Sequence, residues 1–283
     1  MKPETLAVIG LGALGGSIAW QARLAGIPRI VGFSPNPADA AGALRSAAIT
    51  DAADSPAAAA RGADLVILAA TPEANLSLLD QLTSWLRPGA LVTDVTSVKS
   101  AVVFRAERAG LGARFAGSHP LAGTHASGFA AARADLFRGA VVYVTPTADP
   151  AGGEVAREVM DFWSDVLEAQ PVLIDAGAHD RQLAWTSHLP QAAASALASV
   201  LARRVGSSFG TGARDTTRLA ASAPAMWSEL FALNRDAVAT ALAELEKELA
   251  TLRRHLVDRE DAEVKALLER ARAWRTGLGP DRP

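Results

Sequence analysis

The pattern of hydrophobic positions changes character near residue 175. Before it, apolar residues come in short unbroken runs: Leu6 to Gly10, Arg29 to Phe33, Asp64 to Ala70, Leu91 to Val95 and Ala140 to Thr145, with a shorter stretch at Arg114 to Ala116. Runs of this length predict β-strands, and their continuity predicts burial on both faces of a sheet. Between them, Pro37 to Ser46, Glu73 to Leu86, Lys99 to Ala109 and Glu154 to Ala169 read as helices. The alternation predicts an α/β domain built on a doubly wound, mostly parallel sheet, with Pro171 to Asp175 as a last edge strand.

Beyond that point no strand pattern recurs. His179 to Arg204 predicts one helix that Pro190 kinks or interrupts. Pro224 to Leu256 carries Leu230, Leu233, Val238, Leu242, Leu245, Leu249 and Leu252 at helical spacing, and Ala262 to Trp274 adds a final helix. The expectation is two domains, residues 1–175 and an all-helical 176–283. So much apolar surface on so few helices predicts a homodimer interface as well as an internal core.

Composition narrows the chemistry. The 283 residues are 49% hydrophobic, and 28 Lys and Arg stand against 30 Asp and Glu for a net charge of −2. Such a balance creates no field that recruits nucleic acid or an anionic membrane, so a small-molecule substrate is expected. With no cysteine, disulfides, thiol nucleophiles and thiolate metal sites are excluded. No spacing of histidines and carboxylates suggests a metal site. The start, M-K-P-E-T-L-A-V-I-G, lacks the apolar core of a signal peptide and no run reaches membrane-spanning length, so a cytoplasmic protein is expected.

Gly10, Gly12 and Gly15 form G-x-G-x-x-G between the first strand and the first helix, which is the context of a dinucleotide-binding turn. Gly10 allows the tight turn, Gly12 lets the backbone approach a pyrophosphate, and Gly15 lets helix and strand pack closely. Leu11 and Leu14 lie within the same turn and count with it as cofactor-binding. At the end of the second strand, where NAD selectivity calls for Asp or Glu, stands Ser34, followed by Pro35, Asn36 and Pro37. Losing that carboxylate removes repulsion against a 2′-phosphate, yet no adjacent arginine holds one. The balance favours NADP or dual use over NAD alone. Ala70, Thr71 and Pro72, at the end of the third clear strand, form a wall for the adenosine side or the nicotinamide ribose.

F-A-G-S-H-P-L-A-G-T-H-A-S-G, from Phe115 to Gly128, predicts a tight turn that presents His119 at a strand's end. D-V-T-S-V-K, from Asp94 to Lys99, ends another strand, and Ser97 there is either a donor to a ligand or a helix N-cap. Lys99 reads as a surface or supporting charge rather than a catalytic amine. In G-T-G-A-R-D-T-T-R-L-A, Arg214 and Arg218 share a face if the segment is helical, and either can grip a carboxylate with Asp215 holding one in place. His179 and His188, in the helical region, read as structural.

Together, G-L-G-A-L-G-G-S, D-V-T-S-V-K, G-S-H-P-L-A-G-T, H-D-R-Q-L-A-W-T-S-H-L-P and R-D-T-T-R-L-A-A-S-A-P-A-M-W resemble the prephenate and arogenate dehydrogenases of tyrosine biosynthesis, in order and over nearly the whole chain. The resemblance implies a Rossmann domain that binds NAD(P), a helical dimerisation domain, and oxidative decarboxylation of prephenate or arogenate. It makes His119 the base for the substrate's ring hydroxyl, Ser97 a hydrogen-bonding partner of that hydroxyl or of His119, and Arg218 the anchor of a substrate carboxylate. Gly123, Thr124 and Trp227 match pocket positions, and His188 a supporting one.

Two departures stand out. Gln191 replaces a second histidine found in many members, and His125 replaces an acid. A neutral Gln191 accepts a substrate ammonium more readily than a histidine that can become cationic, which favours arogenate. The chain ends soon after Trp274, so feedback by tyrosine would have to act within the two domains. The competing readings are another Rossmann oxidoreductase with a helical second domain, of the β-hydroxyacid dehydrogenase or imine reductase type, and a catalytically silent dinucleotide sensor.

Overall fold

A computed structural model describes residues 2–123, 126–205 and 209–278. It divides into two compact units, one of Met1–Leu183 with Ala221–Asn234, the other of Ala184–Ala220 with Arg235–Pro283.

The first unit opens as the alternating pattern predicts: β1 (Thr5–Ile9), α1 (Ala13–Leu24), β2 (Arg29–Phe33), α2 (Pro37–Arg45), β3 (Asp51–Ala52), α3 (Pro56–Ala60), β4 (Leu65–Leu68), α4 (Pro72–Leu82), β5 (Leu91–Asp94) and α5 (Ser100–Arg108). The five strands form one parallel sheet in the order β3-β2-β1-β4-β5. Successive side chains of a strand point to opposite faces, and here both faces are covered. Leu6, Val8, Leu65 and Ile67 pack on one side, Ala7, Ile9, Val66 and Leu68 on the other. The short β3 and α3 carried no readable pattern, being two residues and an alanine run.

A second sheet follows. Strand β6 (Ala116–Pro120) pairs antiparallel with β7 (Val141–Pro146), and after α6 (Gly152–Asp161) β8 (Gln170–Leu173) pairs parallel with β7. The Val92 amide donates to Arg114 O at 2.8 Å, which seats this sheet beside β5. His119 therefore stands in a strand, opposite Tyr143, and not in the tight turn that its glycines and proline predict. The ladder outweighs local preference because β7 satisfies the main chain up to Pro120, after which Leu121 still donates to Val141. Gly117 is bare for a packing reason, since a Cβ there would lie 2.6 Å from Thr145 Oγ1. Helix α7 (Ala176–Leu183) belongs to this unit.

The predicted helix from His179 to Arg204 is interrupted: residues Ala184–His188 form a π-helical turn and α8 runs Leu189–Ala202. Pro190 falls in the first turn of α8, where its missing N–H costs nothing. In the second unit α9 (Thr211–Thr216) follows α8, while α10 (Pro224–Leu233) returns to the first unit. Asn234 breaks the predicted Pro224 to Leu256 helix, and α11 (Arg235–Val257) and α12 (Asp261–Gly277) complete the second unit. Among the described residues no helix is long and apolar enough to cross a membrane.

Candidate active site

The glycine turn has the geometry its sequence requires. Gly10 has φ +105°, and a Cβ on it would lie 2.4 Å from Ala69 O, while one on Gly15 would lie 1.8 Å from Gly10 O. Gly12, the N-cap of α1, faces open space, with no atom within 4 Å of an added Cβ. No capping side chain and no acidic residue occupies the first turn of α1. A helix end left this bare fits a pyrophosphate, which its N–H groups and positive dipole attract. Leu11 sends its side chain into the core, and half-buried Leu14 packs against it.

At the end of β2 the Ser34 hydroxyl donates to Asp39 Oδ2 at 3.4 Å, and Asp39 Oδ1 accepts from the Phe129 amide at 2.8 Å. A carboxylate thus stands beside Ser34, delivered from the first turn of α2. Sequence reading missed it because the expected position was the strand end. At the end of β4, Thr71 caps α4 and Pro72 opens it. Buried Asn75 ties the neighbouring segments, donating to Leu68 O, Ala70 O and Thr96 Oγ1 and accepting from the Ala70 amide.

Beyond β5 lies a cluster around Lys99, which the sequence reads as a surface or supporting charge and the structure places in the supporting role. Lys99 is fully buried. Its Nζ donates to Asp94 Oδ1 and Oδ2, both at 2.7 Å, and to Ser118 O at 2.6 Å. Burial pulls this ammonium below the ordinary lysine range against the opposing pull of Asp94. All three of its N–H bonds are engaged, so it positions rather than reacts. Asp94 also accepts from the Thr96 and Ser118 amides, fixing β5 against β6. Ser97 lies in the loop between Asp94 and α5, whose N-cap is Lys99, so Ser97 does not cap that helix.

The cap comes instead from Asp180 on α7. Its two oxygens accept from the amides of Lys99 and Ser100, each at 2.8 Å. The same carboxylate meets His179 Nδ1 at 2.8 Å, and His179 Nε2 meets His119 Nδ1 at 2.9 Å. His119 is 8% exposed, His179 fully buried and Asp180 5% exposed. Tyr143 sets the edge of the His179 ring, with centroids 5.5 Å apart and planes at 82°. Burial alone would raise the Asp180 carboxyl, but hydrogen bonds from His179, Lys99 and Ser100 hold it below the usual carboxylate range. His179, which the sequence reads as structural, is thus hydrogen-bonded at both ring nitrogens. Its adjacency to Asp180 in H-D-R was the available signal.

Gly123 is exposed, and Thr124 and His125 lie outside the described residues. Trp227, on α10 of the first unit, stacks at a tilt on Phe231. In the second unit, buried Gln191 donates from Nε2 to Leu219 O at 2.9 Å and to Ser195 Oγ at 3.3 Å. A carbonyl can only accept, so these bonds fix the amide's orientation. Its buried Oε1 has no partner among the described residues. His188 is buried in the same unit. Arg218 opens a short 3-10 turn beyond α9, so it does not share a helix face with Arg214, which lies over the Phe209 ring. Among the described residues no ion pair joins Asp215 to either arginine.

Comparison with known proteins covers both parts of the chain. Residues 18–170 match the family profile described as prephenate dehydrogenase, nucleotide-binding domain, and residues 175–270 match prephenate dehydrogenase, dimerization domain. The chain is 33% identical over 293 residues to prephenate dehydrogenase of Bacillus subtilis (strain 168), an alignment covering 97% of this chain and 76% of that protein. A solved structure of prephenate dehydrogenase from Aquifex aeolicus with hydroxyphenyl propionate and NAD+ is similar at TM-score 0.89 and 30% identity, covering 97% of this chain and 98% of the other. Synechocystis arogenate dehydrogenase is similar at TM-score 0.81 and 28% identity, covering 97% and 99%. Likeness at this identity, across both parts and nearly end to end, decides between the readings the sequence left open: the chain belongs to the prephenate dehydrogenase family of NAD(P)-dependent oxidoreductases.

Proposed function

We propose that this chain oxidises and decarboxylates arogenate in preference to prephenate, in tyrosine biosynthesis, with His119 as the base. The observation that carries the base assignment is the hydrogen-bonded chain that ends on His119. The imidazole takes the proton of the ring hydroxyl as hydride leaves the same carbon, and the ring carboxylate departs as carbon dioxide. The electrons of the broken carbon–carbon bond pass through the ring to the oxygen, which regains the proton from the imidazolium, and the ring becomes a phenol. When bound, the nicotinamide supplies the hydride acceptor. A neutral imidazole, with an ordinary pKa of about 6.5, suits this task at neutral pH. Ser97 is assigned to the same hydroxyl, Arg218 to a substrate carboxylate, and Gly123, Thr124, Trp227 and His188 to the pocket.

Arogenate is favoured by Gln191. Its donors are spent and its buried Oε1 is left over, which suits the ammonium of an amino-acid side chain and offers nothing to a keto group. For the cofactor, Asp39 weighs against the preference drawn from Ser34. A carboxylate within hydrogen-bonding distance of that hydroxyl repels a 2′-phosphate and accepts from a ribose hydroxyl, so we infer NAD over NADP. The remaining proposals are a homodimer through the helical part, a cytoplasmic setting, and a division of labour between residues 1–175 and 176–283.

Crossing prephenate and arogenate with NAD and NADP in four assays, read at the absorbance of the reduced nicotinamide, tests both preferences. Arogenate with NAD is expected to give the highest kcat/KM. Silence in all four, with dinucleotide binding intact by calorimetry, overturns the activity.

A further inference from the structure

His179 and Asp180, behind His119, are not among the residues to which the family resemblance gives a catalytic role, and their bonding leaves little freedom. Asp180 accepts from two backbone amides, and these bonds hold the carboxylate in place and favour its ionised form. Facing that acceptor, His179 Nδ1 has to be the donor. A neutral imidazole that donates from one nitrogen accepts at the other, so His179 Nε2 accepts and His119 Nδ1 donates to it. The lone pair of His119 then resides on Nε2. We propose that His179 and Asp180 are positioning residues that hold His119 in the Nδ1–H tautomer and stabilise the imidazolium formed when it takes the substrate's proton.

The surroundings support one direction of charge. Among the described residues, strand β7 contributes the edge of Tyr143, whose hydroxyl accepts from Gln182 Nε2 at 2.7 Å. Helix α5 and β5 contribute Lys99 and Asp94, which neutralise each other. The remaining neighbour on α7, Arg181, is mostly solvated, while Asn234 is spent on the Asp180 carbonyl. Among the described residues, Asp180 is the carboxylate bonded into the His119–His179 pair, through bonds of 2.9 and 2.8 Å. The logic is that of an acid-oriented histidine base, extended by one imidazole.

The assignment rests on His119 being the base, and the test separates the two. In uniformly 15N-labelled protein the chain's five histidines are resolved by long-range proton–nitrogen correlation, which reads tautomers without any turnover. His119 is expected as the Nδ1–H form, the minor one for free imidazole, and to revert in His179→Phe. An Nε2–H form in the wild type overturns the proposal even if the enzyme is active. A silent wild type with the Nδ1–H form sinks the activity alone.

Kinetics add the catalytic consequence. Asp180→Asn and His179→Phe are expected to lower kcat on the order of 10²-fold while KM stays within about twofold. In Asp180→Asn the acid limb of the pH profile moves down by about one unit, because the imidazolium loses its stabilising charge. A purely structural role would lower the active fraction and leave the limb in place, and that result overturns the proposal.

Discussion

Gln191 concentrates the question of substrate choice in one atom. An unpartnered buried acceptor costs about 1–3 kcal/mol, so a ligand that donates to Oε1 recovers a sum equal to roughly tenfold to a hundredfold in affinity. Replacing it by the histidine that the family resemblance leads one to expect there removes the waiting acceptor. Gln191→His is therefore expected to lower the arogenate-to-prephenate ratio of kcat/KM by about tenfold, and an unchanged ratio removes Gln191 from the recognition of the side chain. Asp180 carries a second residue-scale prediction, on stability. Its folded pKa is depressed, so its contribution is present in full above the unfolded value of about 3.9 and is lost as pH falls through the folded value. Urea titrations are expected to show Asp180→Asn less stable than wild type at pH 7, with the gap closing below about pH 4.

At the scale of elements, the glycine turn separates folding from binding. Gly12→Ala adds a methyl that meets nothing, at a φ of −71° that alanine tolerates, so the protein is expected to fold normally and bind NAD at least about tenfold more weakly. Gly15→Ala drives a methyl to 1.8 Å from a backbone oxygen and is expected to prevent folding of the β1–α1 unit. Thermal melts with and without NAD distinguish the two, because only Gly12→Ala should keep its midpoint while losing the ligand-induced rise. This turn was fully legible in the sequence, as were the central strands, because both depend on local composition. The fate of His119 was not, because β6 exists only through its ladder to β7. Lys99 and Asp180 were opaque for the same reason: partners distant in the chain, at Ser118 and at the start of α5, decide their environment. Asp39 was missed by a rule tied to the strand end rather than to the space beside it.

For the whole molecule, the helical unit leaves much of its apolar surface open. Of the 23 residues of α11 only Val238 and Ala241 are buried, and none of the 17 of α12 is. Leu249, Leu256, Leu268 and Trp274 are each more than half exposed. An open apolar groove of about 460 Å³ between α8 and α9 is lined by Leu201, Val205, Phe209 and their neighbours. Surface of this kind on a single chain calls for a partner, and a second copy satisfies it. Sedimentation equilibrium is expected to give twice the 29.3 kDa of one chain, and Leu268→Glu to shift the balance towards that single mass. A monomeric wild type at micromolar concentration overturns the homodimer.

The buried pairing of Lys99 with Asp94 also constrains how such a protein can change over generations. Removing one partner strands a charge in the interior at about 3–5 kcal/mol, a large part of the roughly 5–15 kcal/mol that holds an ordinary domain together. Replacing both by neutral residues that still accept from the Thr96 and Ser118 amides would cost far less, yet every route to that double change passes through a single change of much lower stability. Descent can therefore keep the two residues long after any other reason for them has gone, and their persistence among relatives would measure the depth of that valley rather than a part in the chemistry.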